Sequence, residues 1–128
     1  MTQTARWPRA IAIAAALFGV LTIFSGGMVL FGPRSAQEAA GAVVPFVVIF
    51  NTAAGFAYLA GAYALWRNLP AARWIALAIG LATLAVFLGF TLYALTGAPV
   101  ELRTALTLPF RAAIWLAIAW LAVRGPRP

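Results

Sequence analysis

Residues 74–95 of the chain read WIALAIGLATLAVFLGFTLYAL and include no charged side chain. As an α-helix rising about 1.5 Å per residue, a stretch of this length matches the ~30 Å hydrocarbon core of a bilayer. A helix on the surface of a soluble protein needs a polar face to meet water, and this stretch offers none. It therefore predicts a helix that crosses a membrane.

Three further apolar runs of similar length flank it, at about Ala10 to Phe31, Ala42 to Trp66 and Thr104 to Val123. Hydrophobic residues make up 65% of the 128 residues and charged residues 9%, against about 45–50% and about 25% in soluble domains. Because the loops between the runs are short, consecutive helices should be antiparallel neighbours. We predict an all-α fold: a single transmembrane domain over residues 1–128, built as an up-down-up-down four-helix bundle.

The nine basic residues are all arginine, and most lie at the ends of the apolar runs. Six fall on the side of the bundle that carries both termini, and two on the other side; the six are Arg6, Arg9, Arg67, Arg73, Arg124 and Arg127, and the two are Arg34 and Arg103. The positive-inside rule then predicts both termini in the cytoplasm. Alanine- and arginine-rich usage is typical of GC-rich bacterial genomes, so we expect a multi-pass protein of the bacterial cytoplasmic (inner) membrane.

The missing residue types exclude most catalytic chemistry. The chain has no cysteine and no histidine, and its only acids are Glu38 and Glu101. Zinc sites, thiol chemistry and Ser-His-Asp catalysis all need residues that are absent. We therefore expect no enzyme activity, no metal and no cofactor. Because the arginines are dispersed at helix ends, we expect membrane lipid as a partner and no nucleic acid.

Arg111 is the most informative single residue. Counted from Thr104, it lies seven residues into the fourth run, which is about 10 Å below the outer boundary. A charge at such depth costs a few kcal/mol, so it should face protein or water and find a partner, with Glu101 or Glu38 as candidates. Alternatively, Pro109 marks the first helical turn and Arg111 extends back to the interface. The sequence leaves both open.

A polar pocket in the outer half of the bundle is a second candidate feature. Asn51 lies at a depth similar to that of Arg111, and Tyr58 shares its helical face. Tyr93 falls in the outer half of the third run, and Glu101 close to the start of the fourth. Together with Arg111, these side chains would suit an anionic headgroup, a small carboxylate or a quinone carbonyl. The alternative is that Asn51 only forms a hydrogen bond across helices.

Two segments carry a resemblance to known proteins. They are FNTAAGFAYLAG at 50–61, followed by LWR at 65–67, and ELRT at 101–104, followed by Arg111 and Trp115. They resemble a group of small, uncharacterised four-span bacterial membrane proteins. The layout is also distantly similar to the DoxX-like family, whose first helix ends in a glycine-containing turn. Residues 25–27 and 32–33 contain such glycines here. The resemblance implies an accessory role in membrane redox and quinone-linked complexes.

These observations predict a non-catalytic accessory or structural subunit of a membrane complex. It would contact other membrane-protein subunits or itself, and bind a lipid or quinone in its outer half. The alternative is a small homo-oligomeric channel or transporter, which needs a continuous polar path; the inner half offers little beyond Tyr58, Tyr63 and Thr83. A third hypothesis is an enzyme acting on lipid through Glu101 and Arg111.

Overall fold

The computed structural model describes the backbone of residues 6–124 and the side chains of residues 8–122. The regular secondary structure of this part of the chain is all α-helix, joined by short turns and loops, and it contains no strand. The helices are α1 (Arg6–Phe31), α2 (Arg34–Ala40), α3 (Pro45–Trp66), α4 (Ala71–Leu95) and α5 (Leu102–Arg124). Four of them are long and apolar enough to cross a membrane, over Pro8–Phe31, Pro45–Trp66, Ala71–Leu95 and Leu102–Ala122. The predicted all-α membrane bundle is confirmed, and the protein is a multi-pass membrane protein.

The helix boundaries differ from the predicted ones by a few residues, for local reasons. The second span begins at Pro45, not at residue 42, because proline is favoured in the first helical turn and Gly41 before it has a φ of +78°. The fourth span begins at Leu102, two residues earlier than predicted, and runs through Pro109. Pro109 therefore lies inside α5 and does not mark its first turn.

The short helix α2 was not predicted. None of its residues, RSAQEAA, is buried. The segment therefore lacks the apolar pattern from which a helix is predicted. Alanine, glutamine and glutamate favour the helix by propensity alone. Gly41 ends it and turns the chain into α3. We call this end of the bundle the α2 end, and the opposite end, where α1 begins and α5 finishes, the termini end.

The four spans are arranged as two close pairs. The α1 and α3 backbones run side by side, as do those of α4 and α5, and α3 contacts α4 over a smaller surface. A Cβ atom on Gly19 would lie 2.9 Å from the carbonyl oxygen of Gly55, and one on Gly80 would lie 2.6 Å from Cδ2 of Leu116. Glycine at these positions lets each pair approach closely, as is common between membrane helices.

The buried core is largest in the middle of the bundle and towards the termini end. Tyr58 and Trp115 are its largest fully buried side chains there. Small residues such as Ala62 and Ala76 surround them in one continuous cluster. A second, smaller cluster of Val44, Val47, Phe90 and Leu108 lies nearer the α2 end. The bulky aromatic pair thus occupies the place where the two helix pairs meet.

Candidate functional site

Arg111 lies near the middle of the fourth membrane span. It is nine residues into α5 and close to the centre of the span Leu102–Ala122. At about 1.5 Å per residue, this places it about 14 Å from the start of the helix, near the midplane of a ~30 Å core. Its depth exceeds the predicted one because α5 begins at Leu102 and not at Thr104.

The guanidinium of Arg111 points into the bundle and contacts α1 and α3. Its Nη1 donates to the hydroxyl oxygens of Thr22 and Tyr58, both at 3.4 Å. Its Cζ lies 4.7 Å from the ring centroid of Phe18, a cation–π contact. Three helices therefore converge on this one charge. The inward orientation left open by the sequence is the one that the structure shows.

An aromatic stack holds the Tyr58 hydroxyl in place. The Tyr58 ring lies between Phe18, at a centroid distance of 5.6 Å and 9° between planes, and Trp115, at 5.2 Å and 29°. These three rings come from α1, α3 and α5. Because Tyr58 is fully buried and stacked on both faces, its hydroxyl has a fixed position beside Arg111. We call Phe18, Thr22, Tyr58, Arg111 and Trp115 the arginine cluster.

The positive charge of the arginine cluster is not neutralised within the described part of the chain. Glu38 is exposed on α2, and Glu101 is bound elsewhere. The Nε of Arg111 is buried and has no hydrogen-bond partner among the described residues. A cation–π contact contributes about 0.5–2 kcal/mol, against an insertion cost of about 2.5–3.5 kcal/mol for arginine at the helix centre. The Nε therefore lacks an acceptor among the described residues, although the hydroxyls of Thr22 and Tyr58 accept from Nη1.

An apolar cleft of about 200 Å³ adjoins the arginine cluster between α1 and α5. Two of its walls are Phe18 and Trp115, the same rings that stack on Tyr58. The remaining lining comes from Ile11, Ala14, Ala15, Phe110, Ile114 and Ile118. These residues run from the level of Arg111 towards the termini end. The cleft therefore lies in the half of the bundle nearer the termini, whereas the predicted pocket was in the other half.

Asn51 lies two helical turns from Tyr58, towards the α2 end. Its side chain is half-buried, and its Oδ1 is buried with no hydrogen-bond partner among the described residues. The carbonyl oxygen of Asn51 therefore does not accept a hydrogen bond from a neighbouring helix, as a packing role would require. Asn51 remains a candidate for binding, about 10 Å along α3 from Tyr58.

Glu101 and Tyr93 are not part of the arginine cluster. The Glu101 carboxylate accepts a hydrogen bond of 2.9 Å from the backbone N–H of Ala42. Its neighbour Arg103 donates one of 3.0 Å to the carbonyl of Ala40. These two bonds fasten the end of α2 to the start of α5. Tyr93 is exposed, and its ring makes an edge contact of 6.3 Å with Phe46 at the α2 end.

Of the five residues predicted for the pocket, the structure therefore brings together Arg111 and Tyr58. Phe18 and Thr22 complete the cluster and were not predicted; they lie four residues apart on one face of α1. Trp115, four residues after Arg111 on α5, was not predicted for the pocket either. The signal that could have found them is this shared four-residue spacing on two helices.

Comparison with known proteins gives no match to a family model, a curated protein or a solved structure. The resemblance to DoxX-like proteins therefore stays a prediction.

Proposed function

We propose that the protein is a non-catalytic subunit of a complex in the bacterial cytoplasmic membrane, and that it holds a lipid or a quinone against Arg111. One observation carries the proposal. A guanidinium near the middle of its membrane span has no carboxylate partner among the described residues, and an apolar cleft shares its walls Phe18 and Trp115 with the arginine cluster. A bound carbonyl or carboxylate oxygen would supply the missing acceptor, and the cleft would receive the apolar part of the same molecule.

The depth of Arg111 favours a ligand whose polar group can enter hydrocarbon. A quinone carbonyl meets this condition, and its flat ring can stack on the aromatic walls of Phe18 and Trp115. The carboxylate of a fatty acyl chain meets it as well, since a charge-assisted bond to the guanidinium would offset its desolvation. The predicted likeness of residues 50–61 to DoxX-like proteins points in the same direction.

The role of a subunit is supported by the surface of α1. Only 17% of the most apolar stretch of this helix is buried inside the bundle. Ile13, Leu17 and Leu21, with exposures of 54–63%, follow one another at four-residue spacing on one face. Such a face suits lipid or the flank of another membrane protein. The non-catalytic role rests on the residue types, since Glu38 and Glu101 are the only acids of the chain and neither contacts the arginine cluster.

The alternative of a channel receives less support. A pore through one bundle needs a continuous line of polar groups. The buried polar groups in the described part of the chain include the hydroxyls of Thr22, Tyr58 and Thr83, which do not form such a line. The Thr83 hydroxyl donates to the carbonyl of Ile79 on its own helix, so it presents no free donor to a permeating ion. A pore between subunits would be an assembly property, detectable as flux through liposomes that contain this chain alone.

The proposal can be tested by purifying the protein from its native host in mild detergent. Lipids and quinones would be extracted from the preparation and identified by mass spectrometry, and co-purifying proteins would be identified in the same sample. We expect a defined ligand at a constant ratio to the protein, and its loss from Arg111→Leu. The matched control is Arg34→Gln, which removes an exposed arginine from α2 and leaves the arginine cluster intact.

Equal retention by wild type and Arg111→Leu would show that the ligand is not held by Arg111. Recovery of the wild-type protein as a lone particle, without a specific ligand or partner, would contradict both parts of the proposal.

A further inference from the structure

A second cleft opens at the termini end of the bundle, between α4 and α5. Its volume is about 550 Å³, larger than that of the cleft beside the arginine cluster. It is lined by Arg73, Trp74, Leu77, Leu116, Ala119 and Trp120. Leucine and alanine form its deeper wall, and a guanidinium and two indole rings lie near the helix ends. The cleft thus changes from apolar to basic along the membrane normal.

Arg73 supplies the positive charge of this cleft. Its Nε is buried without a hydrogen-bond partner among the described residues, and its Cζ lies 5.2 Å from the ring centroid of Trp74. Glu38 and Glu101, the only acidic side chains of the chain, belong to segments at the opposite end. The first turn of α4 contains no acidic residue, and Pro70 provides no side-chain cap. The positive end of the helix dipole therefore adds to the charge of Arg73.

We propose that this cleft is a binding site for an anionic phospholipid of the cytoplasmic leaflet. The phosphate would lie against Arg73 and the first turn of α4, and one acyl chain would occupy the apolar wall formed by Leu77, Leu116 and Ala119. Basic clefts between membrane helices on the cytoplasmic side are suited to anionic headgroups. The arginine distribution places this end in the cytoplasm, where the rings of Trp74 and Trp120 lie at headgroup level.

A phospholipid fits this cleft better than a soluble anion does. A free phosphate would use only the charge and leave the apolar wall uncovered. A zwitterionic lipid such as phosphatidylcholine would cover the wall and present a phosphate as well, but its choline cation would weaken the net attraction to Arg73. Only a molecule with both parts satisfies the whole cleft. This site is about a full span length away from the α2 end and is independent of the ligand proposed for Arg111.

The test is native mass spectrometry of the purified protein with added phosphatidylglycerol or phosphatidylcholine. We expect wild type to bind one phosphatidylglycerol at least about fivefold more tightly than phosphatidylcholine, the ratio that one favourable arginine contact provides. Arg73→Gln should abolish this preference. The matched control is Arg67→Gln, which removes an exposed charge from the same end, where the guanidinium contacts Tyr63 and not the cleft.

A second variant tests the acyl chain. Leu77→Trp keeps Arg73 and fills the cleft, so it should also lose the tightly bound lipid. Unchanged elution volume and helical circular dichroism would show that each variant is folded. Equal loss in Arg67→Gln and Arg73→Gln would mean diffuse attraction to the charged surface and would overturn the proposal. Displacement of the lipid by inorganic phosphate would overturn it too, since the site would then be a simple anion site.

Discussion

The Nη1 of Arg111 and the hydroxyl of Tyr58 lie 3.4 Å apart and join α5 to α3 in the middle of the membrane. Tyr58 is fixed between two aromatic rings, so the position of the guanidinium depends on the packing of three helices. The contact is long for a hydrogen bond, and a bound ligand oxygen can compete with it. Its contribution to stability and to ligand binding can be separated by substitution.

Tyr58→Phe removes the hydroxyl and keeps the ring stack. We expect a loss of about 1 kcal/mol in the free energy of unfolding, because one weak hydrogen bond to a charged group disappears. Tyr58→Leu should cost a further ~1–3 kcal/mol, since two aromatic pairs are lost as well. Unfolding in mixed micelles by titration with sodium dodecyl sulfate, followed by circular dichroism, measures both. If the two variants were equally stable, the stack would contribute nothing.

Arg111→Leu should stabilise the ligand-free protein. A charge at the bilayer centre costs about 2.5–3.5 kcal/mol on insertion scales, and the contacts to Thr22, Tyr58 and Phe18 return most of this. We expect a gain of up to about 1 kcal/mol in the same titration, together with the loss of ligand described above. A variant that is more stable but no longer binds the ligand would show that the charge of Arg111 serves binding. A destabilised variant would instead show that the charge serves the fold.

Gly55→Ala should weaken the contact of α1 with α3. The added Cβ would lie 2.6 Å from Cγ1 of Ile23 and 3.0 Å from the carbonyl oxygen of Gly19, so the helices must separate. We expect destabilisation by about 1–3 kcal/mol, as is usual for overpacking. Gly27→Ala is the control, because nothing lies within 4 Å of its added Cβ. Similar stability of the two variants would show that the helix pair adjusts freely.

The four spans could be predicted from the sequence because they depend on composition and length alone. A run such as 74–95 has to be covered by lipid or protein whatever its neighbours are. The inward orientation of Arg111 could not be predicted, since it depends on where α5 begins. A helix that started at Pro109 would have placed the same side chain at the interface, and only the structure shows that the helix begins at Leu102.

The contact of Glu101 with Ala42 was also beyond prediction from the sequence. The two residues are 59 positions apart, and nothing in the α2 segment marks it as a partner for the start of α5. The sequence suggests Glu101 as a partner for Arg111 because it is the nearest acid along the chain. Proximity along the chain was a poor guide, because the helix carries Arg111 deep into the membrane while Glu101 stays at its boundary.

Topology can be checked by cysteine labelling, because the natural chain contains no cysteine. Gln37 is exposed on α2, and Leu69 is exposed in the loop between α3 and α4, so each can be replaced by cysteine (Gln37→Cys and Leu69→Cys). In intact cells, a maleimide that cannot cross the inner membrane should label the first variant, and the second only after lysis. The positive-inside rule gives this order. The reverse order would mean that the termini lie outside the cytoplasm.

The position of Arg111 has one more consequence. A positive charge at mid-depth, in a medium of low dielectric constant, raises the electrostatic energy of any proton or metal ion that enters its surroundings. The bundle therefore opposes leakage of cations along its own axis.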